Sequence, residues 1–330
     1  MFWKSSKCSL AFHDDIHKLP IIFILIDIYA MLLYGKPIAE KIEAELKAKV
    51  QSTFWNTKKF VAILFFWDNH SSAVYVRHKQ NFGSRIGLST LVFGQGQENE
   101  SLDFPDLNPF LQQTKREKNQ ILSLIHDLNQ DENCVGIVIQ LPLPLELQEY
   151  KNELLSAIAP HKDIDGLWWT MLGKSFFDLL DFTPATPKAV ITLLDYYDLG
   201  DVHGKQVAVI GQSTIVGKPL ALELLKRGAF VWTFDIRNTP EEIRAFCQKS
   251  DYIFSGTGAI HLVNADFLSL KKEQILIDIG YGHEDGKPVG DIDFEAVKHQ
   301  VLHITPVPWG IGPLTIASLF SNVFVLWEQK

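Results

Sequence analysis

The segment Gly204 to Pro219 constrains the fold of this chain more than any other. Val207 to Ile210 is a short apolar run rich in β-branched residues, suited to a strand buried on both faces. Gly211 ends that strand, and Gly217 opens a stretch in which Leu220 to Leu225 carries apolar residues at helical spacing. Strand, glycine turn and helix in that order leave unpaired backbone N–H groups at the helix start, where the helix dipole adds partial positive charge. A pyrophosphate fits such a site.

Two phosphate-binding loops compete for this stretch. The nucleoside-triphosphatase loop needs a shorter spacer between its glycines than Gln212 to Val216, and Ser or Thr where Pro219 stands after Lys218. The dinucleotide pattern also departs from its literal form, because Ser213 takes the place of its second glycine. Its context survives. A second strand runs from Ala229 to Phe234 and ends at Asp235, roughly 20 residues past the first glycine, where a carboxylate accepts hydrogen bonds from a ribose diol. The residues therefore point to a Rossmann-type dinucleotide site; an ordinary strand–helix turn without a ligand satisfies the same local pattern.

The chain has 330 residues, enough for one large or two ordinary domains. With 46% hydrophobic residues and a net charge of −8, it has the composition of a globular protein with a sizeable core and lacks the basic surface that non-specific nucleic-acid binding requires. The three cysteines, Cys8, Cys134 and Cys247, are scattered, with neither zinc spacing nor a disulfide framework, so no metal site is expected and a reducing cytoplasm fits. Leu19 to Tyr34 is strongly apolar, but Asp27 interrupts it and it is short for a membrane span. Asp14 and Asp15 stand where a signal peptide carries positive charge. Residues 1–30 are accordingly expected to be an extension outside the fold, with Met31 as the natural first residue; a peripheral membrane anchor is the minor alternative.

In chain order, Lys36-Pro37 starts a helix with Ile38, Ile42, Leu46 and Val50 as its buried stripe. Strands are expected at Phe60–Phe66, Leu88–Phe93 and Val135–Gln140, with helices at Ser71–Arg85, about Asn108–Leu128, and up to about Ile158. Phe182 to Pro187 reads as a linker, followed by a helix from Lys188 to Tyr197. Beyond the glycine turn come strands at Val231–Asp235, Tyr252–Ser255 and Ile275–Ile279, a helix at Pro240–Lys249, and a strongly apolar last helix at Leu314–Trp327. Strands alternating with helices imply an α/β fold with parallel sheets.

Five stretches together resemble the bifunctional methylenetetrahydrofolate dehydrogenase/methenyltetrahydrofolate cyclohydrolase family. They are Ser72 to Lys79, Gln140 to Pro144, Lys162 to Gly166, Gly211 to Pro219, and Thr305 to Pro308 with Gly310 to Pro313. The match extends over about Leu32 to Glu328. The resemblance implies two domains with a cleft between them: a folate-binding catalytic domain from residues 31–181 plus 313–330, and a Rossmann NAD(P)-binding domain from residues 182–312. It also implies a homodimer.

Tyr75 and Lys79 are four apart on one helix and share a face. By resemblance, Tyr75 stacks on the folate rings, Lys79 is the catalytic amine, Gln140 hydrogen-bonds it, and Asp165 grips the pterin amino and ring N–H groups. A lysine amine works near neutral pH only if its charged form is disfavoured, and Gln140 bonds it without adding the negative charge that would keep it protonated. Singly, the three residues read equally well as a solvated helix lysine, a satisfied strand end and a turn aspartate. The same resemblance adds Ile139, Leu141, Pro308, Gly310 and Gly312 to the folate site. To the dinucleotide site it assigns Gly211, Gln212, Ser213, Ile215, Val216, Gly217, Asp235, Ile236 and Tyr281.

The implied chemistry is oxidation of 5,10-methylenetetrahydrofolate to the methenyl cation with NAD(P)⁺, then hydrolysis to 10-formyltetrahydrofolate. Family members usually carry Arg where this chain has Gln212, and His-Ser where it has Asp235-Ile236. Both changes remove groups suited to a ribose 2′-phosphate, so NAD⁺ is expected over NADP⁺, although Arg237 is placed to offset the change. Trp67, Trp169, Trp309 and Met171 also depart from the family, and Ala185 replaces a usual Cys. Three alternatives stay open: a dehydrogenase without the cyclohydrolase step, a non-catalytic binding relative, and an unrelated Rossmann dehydrogenase. Lys79 and Gln140 argue against the first, and the folate-side motifs against the last.

Overall fold

The computed structural model describes residues 30–66, 70–94, 117–270 and 273–329. The expectations for the segment before Ala30, for Trp67, and for a helix start at Asn108 lie outside the described residues.

Two parallel sheets organise the chain. β1 (Met31–Leu32) comes first, then α1 (Lys36–Thr53), β2 (Phe60–Leu64), α2 (His70–Ile86), β3 (Ser89–Phe93), α3 (Lys118–Gln130) and β4 (Cys134–Ile139). Strands β2, β3 and β4 form one sheet in the order β3-β2-β4, all parallel. After α4 (Lys151–Ser156), α5 (Trp169–Phe176) and α6 (Ala185–Tyr196) the chain enters the glycine segment as β5 (Gln206–Ile210), α7 (Gly217–Lys226) and β6 (Phe230–Phe234). Then follow α8 (Pro240–Cys247), β7 (Tyr252–Ser255), β8 (Ile275–Asp278), the hairpin β9 (Gly282–Glu284) with β10 (Lys287–Val289), α9 (Phe294–Val297), β11 (His303–Ile304) and α10 (Ile311–Trp327). The second sheet has the order β1-β11-β8-β7-β5-β6.

Strand alternation divides the interior into layers. Val61 and Ile63 of β2, Val207 and Val209 of β5, and Tyr252 and Phe254 of β7 all face one core shared by both sheets. Their neighbours Phe60, Ala62 and Leu64 face a second core beneath α3 and α4. Ala208, Ile210 and Ile253 face a third, beneath α8. α10 lies in the shared core and packs against α6, α1 and α2. It is apolar nearly all round, and its fully buried Phe320 and Phe324 each contribute about 1.5–3 kcal/mol of burial.

Several expectations change. The stretch read as a linker ends inside α6, because Ala185, Thr186 and Pro187 form its first turn, where a missing N–H costs no helical bond. Met31 and Leu32, assigned to the first domain, pair in parallel with His303 and Ile304 as the edge of the second sheet. Trp169 opens α5, and the β9–β10 hairpin turns on Asp285-Gly286, both at positive φ.

Candidate active site

Lys79 projects from α2, and Gln140 follows the last residue of β4. The Lys79 Nζ donates to Gln140 Oε1 at 2.9 Å, while Gln140 Nε2 donates to the Leu141 carbonyl at 2.9 Å. The second bond fixes the amide so that its oxygen, not its nitrogen, faces the lysine. Burial lowers the Lys79 pKa below its ordinary 10.5, against the opposing pull of the Asp165 carboxylate. Burial likewise raises the Asp165 pKa, against the opposing ammonium of Lys79. The three residues named from the sequence are thus one electrostatic unit, and the pairing of Asp165 with Lys79 is an addition that sequence spacing did not reveal.

The loop carrying Asp165 is built to hold it. Lys162, buried, donates its Nζ to the carbonyls of Leu128, Asn129 and Asp131 at 2.7–2.8 Å, capping the C-terminal end of α3. Asp163, also buried, accepts from the Gly166 and Trp168 N–H groups at 2.9 and 3.1 Å, and burial pushes its carboxyl up to about 6. Asn322, fully buried on α10, donates to the carbonyls of Ile164 (3.0 Å) and Thr183 (3.1 Å) and accepts from Lys188 Nζ (2.9 Å). Lys188 has its pKa lowered by burial to about 8. Sequence reading passed over Asp163, Lys188 and Asn322; an Asn in an otherwise apolar helix was the available signal for the last.

Tyr75 lies on the same face of α2 as Lys79. Its ring meets Tyr281 edge-on, with centroids 5.5 Å apart, and burial, then Tyr281, pushes its hydroxyl up to about 12. Tyr281 follows β8, so this contact spans from the first sheet to the second. A cavity of about 640 Å³ opens beside it, lined by Tyr75, His78, Tyr281, Pro308, Trp309 and Gly312 among others. Gly310 is not on that wall. It is buried, its N–H bonds Pro306 O at 2.7 Å, and a Cβ there would meet the same oxygen at 2.7 Å. Ile139 sends its side chain into the second core, and Leu141 packs at that core's margin. Met171 is buried in the shared core, whereas Trp309 stands half exposed on the cavity wall.

On the dinucleotide side, Gly211 has φ +98°, and a Cβ on Gly217 would lie 1.7 Å from Gly211 O. Glycine at both places lets the helix start approach the strand end. No side chain caps the start of α7, and Ser213 Oγ accepts the Val216 N–H at 3.1 Å. These features fit a pyrophosphate cradle. Ile215 reaches across to the second core, under the first sheet. Gln212 Nε2 is spent on the carbonyls of Val209 and Gly211. Asp235 follows β6, and its carboxylate is clasped by Arg237, which holds it down at about 2. Ile236 is fully exposed. Gln212, Lys218, Asp235, Arg237 and Asn238 border a second cavity of about 440 Å³.

Comparison with known proteins adds an independent line. The model of the tetrahydrofolate dehydrogenase/cyclohydrolase catalytic domain matches residues 33–165, and that of the family's NAD(P)-binding domain matches residues 184–330. This chain belongs to the tetrahydrofolate dehydrogenase/cyclohydrolase family. It is 37% identical over 303 residues to the bifunctional protein FolD of Helicobacter acinonychis, covering 91% of this chain and 96% of that one. The FolD of Aquifex aeolicus is 33% identical over 306 residues, with the same coverage. Among solved structures, the bifunctional FolD methylenetetrahydrofolate dehydrogenase/cyclohydrolase of Campylobacter jejuni superposes with a TM-score of 0.79 at 34% identity, covering 91% of this chain and all of that one. The Trypanosoma brucei enzyme of the same family, complexed with NADP and an inhibitor, gives 0.79 at 26% identity, covering 91% and 98%. Membership fixes the two-part α/β architecture, an NAD(P)-binding half, and an enzyme.

Proposed function

We propose that this chain oxidises 5,10-methylenetetrahydrofolate to the methenyl form with NAD(P)⁺ and then hydrolyses that product to 10-formyltetrahydrofolate. The observation that carries this reading is the Lys79 amine, bonded to a neutral amide and facing a carboxylate, on a helix whose Tyr75 touches Tyr281 of the dinucleotide half. Bound NAD(P)⁺ supplies the hydride acceptor for the first reaction.

The chain's own residues do the rest. Tyr75 presents a ring face for the pterin, and Asp165 accepts from its N–H groups. Tyr281 meets the Tyr75 ring from the dinucleotide half. In the second reaction water adds to the methenyl carbon. The Lys79 amine, whose charged form burial disfavours, takes the proton from that water in its uncharged form and returns one to the departing ring nitrogen. Gln140 accepts an N–H of the amine and so aims its lone pair; no acid–base chemistry is asked of the amide itself.

For the dinucleotide, NAD⁺ is the preferred reading. Asp235 offers a carboxylate at the ribose position, and Gln212 offers no cation. The second reading, NADP⁺, rests on Arg237 and Lys218 at the same cavity: if Arg237 leaves Asp235, two cations face a 2′-phosphate. The Trypanosoma brucei relative binds NADP. A ratio of kcat/KM favouring NADP⁺ in the purified protein overturns the first reading and supports the second.

We also infer a homodimer. β6 forms one edge of the second sheet, reads Phe-Val-Trp-Thr-Phe without a charge or proline, and leaves Phe230 64% exposed. Such an edge is a template for pairing with another copy; sedimentation equilibrium tests it. Among the described residues no helix is long and apolar enough to cross a membrane, and the free thiols of Cys134 and Cys247 suit a cytoplasmic setting.

The deciding assay supplies 5,10-methylenetetrahydrofolate with each dinucleotide and follows the methenyl product. Lys79→Gln is expected to form that product and leave it unhydrolysed. Parent-rate hydrolysis by this variant would sink the assignment of the amine.

A further inference from the structure

Lys79, Gln140 and Asp165 are not on the wall of the 640 Å³ cavity, whereas Tyr75 is. The cavity therefore lies beside the Lys79 site, with Tyr75 on its wall, between α1 and α2 on one side and the segment around Pro308 on the other. A substrate whose reactive ring sits at Lys79 must leave the cavity to its unreactive part. Apolar pockets of this size accept drug-sized ligands, and a few placed polar groups orient them.

Trp309 is the large aromatic group on the far wall, 51% exposed. The Lys36 ammonium lies over its ring, 5.3 Å from the centroid. Ring and ammonium are held in register by backbone: the Trp309 carbonyl accepts the N–H groups of Gly35 (3.0 Å) and Lys36 (3.4 Å). Gly35 allows this approach, since a Cβ there would fall 2.0 Å from Gly310 O. The other charges on the wall are more committed. Arg85 and Glu43 bond each other through two contacts of 2.8 Å. Lys36 has Glu40 at 3.9 Å, both more than half exposed, a pairing worth little in water.

We propose that Trp309 and Lys36 form a recognition station for the tail of the substrate. The indole stacks on the aminobenzoyl ring by the face that Lys36 leaves open, and the Lys36 ammonium pairs with a carboxylate of the terminal glutamate. Trp309 then determines specificity without touching the reacting carbon. The inference rests on the folate reading above.

Steady-state kinetics test it, with full-length 5,10-methylenetetrahydrofolate and with the pteroate analogue that lacks the glutamate. Trp309→Ala is expected to raise KM for both by about three- to tenfold and leave kcat within about twofold, while Trp309→Phe restores most of the loss. Lys36→Gln is expected to raise KM by a similar factor for the glutamate-bearing substrate alone, and added salt should erase that difference. Lys36 is exposed, so its variant keeps the test valid if Trp309→Ala folds poorly. A parent enzyme inactive on the full substrate overturns the proposed function, and this inference with it. An active parent whose KM is unchanged in Trp309→Ala, or whose Lys36→Gln shift is equal for both substrates, overturns the inference alone.

Discussion

Replacing Gln140 with Glu is the most searching perturbation of the site. The substitution keeps the shape and puts a carboxylate oxygen where the amide oxygen now lies, 2.9 Å from the Lys79 Nζ. At an effective dielectric of about 20, unit charges that close attract by roughly 5–6 kcal/mol before the cost of burying the new charge. The surviving effect on the lysine is a raised pKa. Burial now lowers that pKa with Asp165 alone opposing it; a second carboxylate moves the balance toward the charged form. The uncharged fraction of Lys79 at neutral pH then falls, by up to about tenfold for each unit by which the pKa rises, and ring opening falls with it. The new oxygen also faces the Leu141 carbonyl, which loses its donor at a cost of about 1–3 kcal/mol in stability.

The measurement is hydrolysis of methenyltetrahydrofolate across pH, with single-turnover oxidation followed separately. In the parent, hydrolysis should rise with pH through a midpoint below 10.5, because burial depresses the folded pKa and the free amine is the active form. In Gln140→Glu the midpoint should move up while oxidation loses much less. An unshifted midpoint, or equal losses in both steps, would refute the role given to the uncharged amine.

Three further outcomes are expected. Asn322→Leu, close in size, strips Ile164, Thr183 and Lys188 of their partner and should cost about 3 kcal/mol in denaturant unfolding; a loss below about 1 kcal/mol contradicts the network. Gly217→Ala places a methyl 1.7 Å from Gly211 O, so dinucleotide affinity should drop at least about tenfold in calorimetry, and unchanged binding would remove that glycine from the cradle. Asp278, held up at about 7 chiefly by burial, binds its proton more tightly folded than unfolded. Its contribution therefore favours the fold most below its ordinary 3.8 and declines as pH rises through about 7, and unfolding of the parent against Asp278→Asn should differ in slope across that window.

How much of this was legible in the sequence depended on how local the cause was. Val207 to Ile210 and Val135 to Ile139 are apolar runs whose every residue must be inside, and both were placed within one residue of their observed bounds. β1 and β11 are two residues long, too short for any period, and exist because the sheet offers them a partner. The β9–β10 turn carried its signal in Asp285-Gly286, which went unread for want of apolar flanks. α6 was clipped because Pro187 suggested a break, although a proline in the first turn is harmless.

Within the site, the shared face of Tyr75 and Lys79 followed from their spacing. Their meeting with Gln140 and Asp165 rested on family pattern, since nothing local brings β4 and a distant loop to one helix. The support beneath Asp165 was least accessible. It depends on Asn322, nearly half the chain away, whose amide N–H groups go to backbone carbonyls that leave no side-chain signature, with Lys188 alone meeting its oxygen.

The short strand Met31–Leu32 belongs to one sheet, the helix directly after it packs on the other, and α10 returns from the second sheet to close the first. The polypeptide thus stitches its halves at both margins, like a seam sewn forward and back. Cutting near residue 182 would leave one fragment without its final helix and the other without a bordering strand. Neither piece should be a self-sufficient module, and a working enzyme should return only when the two are produced together.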